Sequence, residues 1–339
     1  MTMKIIRNGL TLLLALYSVG CASVSRLMGL EQGHILVTYY APAWGPDTNG
    51  SEVVYFLKQV TFESESQQRT RIYFCSIKPD GTDRKEITWL WRDQPDQFFE
   101  NFSSAVTMDV NAATRRAAIG VQLGQRSGIF IVGLDGQNFR SLWPKEWNQD
   151  RPHDVGYPTW SPDGQWVAFG EVRDKSGMQT SRIVKYRLDG TGYEQLTESE
   201  GANGNPAWSP NGDSIAYVNF RGGKEQGPYL WLMKPDGTEK RDTKEWGRYP
   251  RWSPDGKFIL HDTYSVIDPT SGQLVRRYPY LKDGQGIQMY PKWGYGGFVF
   301  VDYLKIGLTN LDGDTTVPLL KNVSRRGSLA DLDKEAFRW

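Results

Sequence analysis

The residues most able to carry chemistry are few in this sequence and poorly spaced for it. There are three histidines, His34, His153 and His261, and no two stand at metal-ligand spacing. No His-Glu-x-x-His occurs. His261 follows a strand-like run at the place where two similar runs carry Phe169 and Tyr217, so it reads as a packed strand residue. Ser127 lies in Gly124-Gln125-Arg126-Ser127-Gly128, which has the wrong spacing for a nucleophile elbow. Cys75 sits in the strand-like run Ile72-Tyr73-Phe74-Cys75-Ser76-Ile77 and reads as a buried, inert thiol. The many aspartates in turns could suggest calcium, but an Asp that hydrogen-bonds its own turn accounts for them better. These residues predict no catalytic group, no cofactor and no metal, hence a protein that is not an enzyme. The 40 Lys and Arg against 39 Asp and Glu give a net charge of +1, which argues against a nucleic-acid partner.

The strongest pattern is an internal repeat. Three segments nearly superimpose: 157–164 (Tyr-Pro-Thr-Trp-Ser-Pro-Asp-Gly), 205–212 (Asn-Pro-Ala-Trp-Ser-Pro-Asn-Gly) and 249–256 (Tyr-Pro-Arg-Trp-Ser-Pro-Asp-Gly). Weaker copies occur at 41–47 and 290–293, and Met108 stands in for the tryptophan of a further copy. The anchors Trp44, Met108, Trp160, Trp208, Trp252 and Trp293 are 64, 52, 48, 44 and 41 residues apart, the spacing of four-stranded blades with insertions in the early ones. Ser-Pro-Asp/Asn-Gly is turn chemistry, because Pro presets φ and Gly accepts a positive φ. A β-rich run follows each turn, as at 166–169 and 214–217, and a second run ends in an Asp-Gly hairpin signal at 80–81, 135–136, 189–190, 236–237 and 312–313. The fifth copy has Asp268-Pro269-Thr270-Ser271-Gly272 instead. Six anchors and six second turns predict an all-β fold, a six-bladed β-propeller of four-stranded antiparallel blades over 34–320. The anchor tryptophans are then expected as core, wedged between blades. High Trp, Tyr and Gly content (13, 17 and 36 residues) agrees with many short strands and turns.

The Trp-Ser-Pro-Asp-Gly repeat resembles that of the TolB-type propellers of bacterial periplasmic proteins, over about residues 42–320. It is also similar to the propeller domain of prolyl-oligopeptidase-like exported enzymes. The resemblance implies a scaffold near the cell envelope. The sequence departs from it in that no separate domain is expected before the propeller, so the partners of TolB do not carry over, and no hydrolase domain is expected after it. Likeness to the propeller-fold pectate-fragment lyases is weakened by the shortage of histidines, since those place several around a metal. In such a fold the Ser-Pro-Asp-Gly and Asp-Gly turns share one face, here termed the turn face. The longer, more variable loops share the other, the loop face, where binding concentrates. The candidate partner-binding residues on the loop face and in its funnel are Trp147, His153, Asp154, Tyr157, Asn205, Arg221, Trp246, Arg248, Tyr249 and Tyr290. Trp and Arg among aromatics are the usual anchors of protein interfaces; the same residues could tuck under loops as satellite core or stack on sugar rings. The expected partner is therefore an envelope protein docked on a monomeric propeller. The rival reading is a carbohydrate-active or other envelope-polymer-processing enzyme, with His153, Asp154, Asp174 and Arg248 supplying an acid/base pair in the funnel.

The N-terminal residues give an address. Lys4 and Arg7 precede the apolar run Leu10–Leu16, which is too short to act as a stop-transfer helix. Ser18-Val19-Gly20-Cys21 then resembles a lipobox, with Ser18 where the family usually has Leu. Residues 1–20 are expected to be a lipoprotein signal peptide, Cys21 the lipidation site, and 21–33 a tether. Fatty chains on Cys21 would hold the protein at a membrane. Ala22 rather than Asp after the cysteine resembles the outer-membrane sorting pattern, facing the periplasm. Lipidation would also leave Cys75 without a disulfide partner. The segment 34–40 reads as an extra strand that leads into the first blade or closes the ring on the sixth. Residues 321–339 are expected as a tail, with a short helix over 329–337 after the N-cap pattern of Ser328 and Asp331. A mean hydropathy of −0.54 rules out a polytopic membrane protein.

Overall fold

The computed structural model describes residues 32–65, 68–90, 102–123, 126–142, 154–172, 181–198, 202–221, 227–262, 265–277, 289–294, 297–302, 305–310, 316–321 and 323–328. Every regular element among them is a β-strand. The first sheet holds β1 (Gln32–Pro46), β2 (Glu52–Glu63), β3 (Gln68–Ile77) and β4 (Lys85–Leu90). The second holds β5 (Phe102–Asn111), β6 (Arg116–Leu123), β7 (Arg126–Gly133) and β8 (Arg140–Ser141). The third holds β9 (Asp154–Trp160), β10 (Trp166–Val172), β11 (Ser181–Arg187) and β12 (Tyr193–Gln195). The fourth holds β13 (Asn203–Trp208), β14 (Ile215–Arg221), β15 (Gly227–Met233) and β16 (Arg241–Trp246). The fifth holds β17 (Arg251–Trp252), β18 (Ile259–Leu260), β19 (Ser265–Ile267) and β20 (Leu274–Arg277). The sixth holds β21 (Met289–Gly294), β22 (Gly297–Asp302), β23 (Lys305–Asn310) and β24 (Thr316–Lys321). Within each sheet the strands run up and down, each pairing antiparallel with the next. A last strand, β25 (Val323–Ser328), pairs antiparallel with the front of β1, from Gln32↔Ser328 to Val37↔Val323.

The turns follow from local hydrogen bonding. In each full repeat the serine hydroxyl donates to the side-chain oxygen two residues on, at 2.5 Å from Ser161 to Asp163 and 2.7 Å in the Ser209–Asn211 and Ser253–Asp255 pairs. The same hydroxyl accepts the N–H five residues on, at 2.9 Å from Trp166 and 3.0 Å from Ser214 and Phe258. The second turn uses a different cap. Asp80, Asp189 and Asp236 each accept the N–H (2.9 Å) and the hydroxyl (2.6 Å) of a threonine two residues on, Thr82, Thr191 and Thr238. Gly237 shows why glycine closes this hairpin. Its φ is 82°, and a Cβ there would meet the carbonyl oxygen of Leu196 at 2.7 Å.

The core lies between sheets rather than inside any one. Ala118, Ile129, Ile131 and Leu142 of the second sheet pack on Val155, Trp160, Val167, Phe169 and Tyr186 of the third. Ile183 and Leu196 of the third meet Ile215, Tyr217 and Met233 of the fourth. Equivalent clusters join the first sheet to the second and the fourth to the fifth, while Leu319 and Leu320 of the sixth join Phe56, Phe62 and Ile77 of the first. A middle strand sandwiched this way must be apolar on both faces, so Val167, Ala168 and Phe169 are all buried in succession. The first strands touch in a series, β1 on β5, β5 on β9, β9 on β13, β13 on β17, β17 on β21 and β21 back on β1. Antiparallel sheets arranged radially in this manner form a β-propeller.

Residues 34–40 lead into the first sheet, one of the two alternatives, as the front of β1, which continues to Pro46 through a register shift between Tyr40 and Ala43. The tail expected from 321 changes, because residues 323–328 form β25 and satisfy the otherwise open edge of β1. The helix expected over 329–337, the signal and Cys21 lie outside the described residues.

Candidate functional site at the channel mouths

The residue before the proline of each repeat has an unusual backbone. Ala41, Tyr157, Asn205 and Tyr249 have φ of 51°, 58°, 50° and 54°. A non-glycine residue rarely adopts this region, and one before proline is ordinarily extended. Such strain costs of order 1–3 kcal/mol per residue and persists only where surrounding structure enforces it. The enforcement is visible as register shifts in the first strands, between Tyr40 and Ala43 and between Gly204 and Ala207. A bulge re-aims the side chain it carries. Tyr157 of the third sheet and Tyr249 at the start of the fifth therefore meet, ring centroids 5.5 Å apart and planes at 35°. Asn205 of the intervening fourth sheet is 5% exposed. The Tyr157 N–H donates to Thr107 Oγ1 of the second sheet at 3.2 Å, tying this group to its neighbour.

Around that pair the loop face is built from the fourth and fifth sheets. Trp246, the last residue of β16, is 48% exposed. The Arg248 guanidinium lies over the Phe220 ring, 5.6 Å from its centroid. Its backbone N–H donates to Asp262 Oδ1 at 2.8 Å, and its carbonyl accepts the Asp262 N–H at 3.0 Å. His261 is fully buried behind this loop, with Nδ1 3.8 Å from Asp262 Oδ1 and Nε2 3.6 Å from Glu245 Oε1. Burial by itself would lower the His261 pKa. The negative charges of Asp262 and Glu245 beside the ring outweigh burial and hold it above the ordinary histidine value. A Cβ on Gly247 would collide with the imidazole, so this glycine lets the loop close over it. His261 is packed, as its place in the repeat implied, but it also faces two carboxylates, Glu245 and Asp262, which its repeat position did not reveal.

The structure thus brings together Tyr157 and Tyr249, with Asn205 beside them in the ring of first strands and Arg248 next in chain to Tyr249. Asp154 begins β9, Arg221 ends β14 and Tyr290 lies in β21; their side chains lie outside the described residues. Trp147, His153 and Asp174 lie outside them altogether. Thr107, Phe220, Glu245 and Asp262 belong to the same region and were missed, since each contributes through another sheet or a later strand.

The opposite mouth holds a second surprise. Trp160 is core, at 4% exposure. Trp44, Trp208, Trp252 and Trp293 are only half-buried, and with Trp160 they line a recess of about 410 Å³ on the turn face. Their wedge role is real as well. The indole N–H of Trp160, Trp252 and Trp293 donates to Asp109, Ala207 and Arg251 carbonyls of the preceding sheet, at 3.2, 3.0 and 3.1 Å. Trp208 donates instead to Gly212 in its own turn, at 3.2 Å. Cys75 is buried within the first sheet, and burial, with the Glu86 charge, pushes its thiol well above the ordinary range. Beside it the buried Lys58 ammonium pairs with Glu86 at 2.7 Å.

Comparison with known proteins supports this architecture. No family model matches the chain. A solved nidogen–laminin complex shares the fold, at a TM-score of 0.53 and 10% identity, covering 87% of this chain and 98% of that one. The Tol-Pal system protein TolB of Alcanivorax borkumensis is 36% identical over 66 residues, 20% of this chain and 14% of the relative. The propeller is TolB-like. The uncharacterized peptidase YuxL of Bacillus subtilis is 32% identical over 153 residues, 38% of this chain and 22% of the relative. Dipeptidyl-peptidase 5 of Aspergillus fumigatus is 26% identical over 175 residues, 39% of this chain and 24% of the relative. The chain spans less than a quarter of each of these three relatives. The two peptidases overturn the expectation that this protein is not an enzyme. That expectation rested on counting histidines and nucleophile motifs, which tests for a few kinds of catalytic part and says nothing of the enzymes in which TolB-like repeats occur.

Proposed function

We propose that the chain is a six-bladed propeller of the bacterial cell envelope that docks a protein segment on its loop face, beside the Tyr157–Tyr249 pair. The six anchors fall in six different sheets whose first strands touch in series, which supports six blades in a closed ring. Relatedness to TolB, a protein named for the Tol-Pal system, supports the envelope setting. The signal pattern and Cys21 support a lipid anchor there, on the outer membrane facing the periplasm. One observation carries the docking itself: strained backbone at Tyr157, Asn205 and Tyr249 gathers aromatic and amide groups at one mouth, next to the exposed Trp246 and Arg248. Such groups can hold an extended or acidic segment without covalent chemistry. A photo-reactive residue at position 246 should give an adduct with one envelope protein, and the same residue at 189 on the turn face should not. Cys21→Ser should release the protein from membranes or leave an unprocessed precursor.

A second reading follows from the relatives named as peptidases. In it the propeller presents a peptide or envelope polymer to an acid/base site in the funnel, with Asp154 and Arg248 among its parts. Turnover of a peptide or glycan by the purified protein, lost in Asp154→Asn, would establish this reading.

A further inference from the structure

On the turn face of the second sheet, three arginines surround one groove. Arg115, Arg116 and Arg140 line a concavity of about 820 Å³ with Thr48, Thr114 and Phe139. Among the described residues none of the three guanidiniums pairs with a carboxylate. Elsewhere on this face cations are matched to acids of their own turns: Arg187 to Asp189 at 3.3 Å, Lys257 to Asp255 at 3.4 Å, Lys85 to Asp83 at 3.0 Å, and Lys234 to Glu239. The chain as a whole is balanced in charge, so an unmatched cluster at one place is a local feature. Like charges gathered in a concavity repel unless an anion joins them.

Two of the guanidiniums are held in place. Arg115 has a φ of 53° and donates through Nη1 to the Asp47 carbonyl at 3.0 Å. Arg140 donates through Nη1 to the Ser141 carbonyl at 3.3 Å and through Nη2 to the Leu188 carbonyl at 3.1 Å. Each keeps further N–H donors, since a guanidinium has five. Arg116 is exposed, and among the described residues its guanidinium makes no hydrogen bond. The lone carboxylate of the groove, Asp135, accepts the Gln137 N–H of its own turn at 2.9 Å. One wall is apolar: Phe139 stacks on Phe130, centroids 5.4 Å apart.

We propose that this groove binds a phosphate group carried on a small organic moiety. Arginine forks suit carboxylate and phosphate oxygens alike. The donors here exceed what the two oxygens of a carboxylate can accept, and Thr48 adds a hydroxyl while that of Thr114 is given to Asn111 Oδ1 at 2.9 Å, so phosphate is the better match. Phe139 would contact the carbon part of the ester. The site is on the opposite face from the docking mouth and does not depend on it.

Calorimetric titration of the intact protein with inorganic phosphate and with glycerol 3-phosphate, at low salt, tests this. Saturable binding is expected, tighter for the ester. Arg116→Ala should weaken it at least about tenfold, the usual loss for a charge-assisted hydrogen bond, with the melting temperature unchanged. Asp135→Asn, which keeps the turn and removes the negative charge, should tighten it. Co-sedimentation with phosphatidylglycerol vesicles but not phosphatidylcholine vesicles, lost in Arg116→Ala, would assign the phosphate to a lipid headgroup; ester binding without vesicle binding would assign it to a soluble ligand. Absence of saturable phosphate binding, or binding that Arg116→Ala and Asp135→Asn leave unchanged, overturns the proposal.

Discussion

Trp160 and His261 make the most specific demands at the scale of the residue. Trp160 fills space between the second and third sheets and donates its indole N–H across that interface. Trp160→Ala should therefore cost ~3–5 kcal/mol, the usual range for a large buried aromatic. Trp252→Ala, at a half-buried position lining the turn-face recess, should cost clearly less. Chemical denaturation of the two variants checks the order, and equal losses would mean that the recess is closed in solution. For His261 the folded pKa lies above the ordinary 6.5, so the imidazolium form is the one the fold favours. Its contribution is fully present below about 6.5 and is lost as pH rises through the folded pKa. An NMR titration of His261 should give a midpoint above 6.5, and wild-type stability should fall more than that of His261→Gln from mildly acidic to mildly alkaline pH. A midpoint under 6.5 would show that burial wins over Glu245 and Asp262.

At the scale of the element, the turns carry their own stability and were the most legible part of the sequence. Their hydrogen bonds close within five residues, so Ser-Pro-Asp-Gly and Asp-Gly-Thr announce themselves without help from the rest of the chain. Asp80, Asp189 and Asp236 have lowered pKa values, chiefly because a threonine hydroxyl and then its N–H donate to each. Stability from these turns is present above the ordinary Asp value and lost as pH falls through the lowered ones. Acid unfolding should accordingly be blunted in Asp189→Asn, measured as melting temperature against pH below about 4; an unchanged acid limb would mean that the turn melts without penalty. The bent first strands were not legible. Of Ala41, Tyr157, Asn205 and Tyr249 only the asparagine is a type that favours a positive φ; at Ala41, Tyr157 and Asn205 the conformation accompanies a register shift in pairing with the next strand. Pairing of β25 with β1 was hidden for a related reason, since the partners lie at opposite ends of the chain.

At the scale of the whole molecule, adjacent sheets bury their cores against each other and leave two mouths with different chemistry. The loop-face mouth gathers tyrosines, Asn205, Trp246 and Arg248; the turn-face mouth is ringed by anchor tryptophans. Sequence reasoning placed the tryptophans between blades as core, which holds for Trp160 and only in part for Trp44, Trp208, Trp252 and Trp293. It could not give their exposure, because that depends on how wide the ring opens, a sum over all the sheets. The loop-face set was legible in part, as residue types near the repeat, while Glu245 and Asp262 became meaningful only once the fold set both of them beside His261. Docking of a partner at the loop-face mouth is the proposal with the most direct test. The affinity of the protein crosslinked from position 246 should be compared for wild type, Trp246→Ala/Arg248→Ala and Asp189→Ala. Docking at the loop face predicts at least about a tenfold loss in the double variant with little change in melting temperature, and undiminished affinity in Asp189→Ala despite its lower stability. Undiminished affinity in the double variant, or a loss confined to Asp189→Ala, would contradict it.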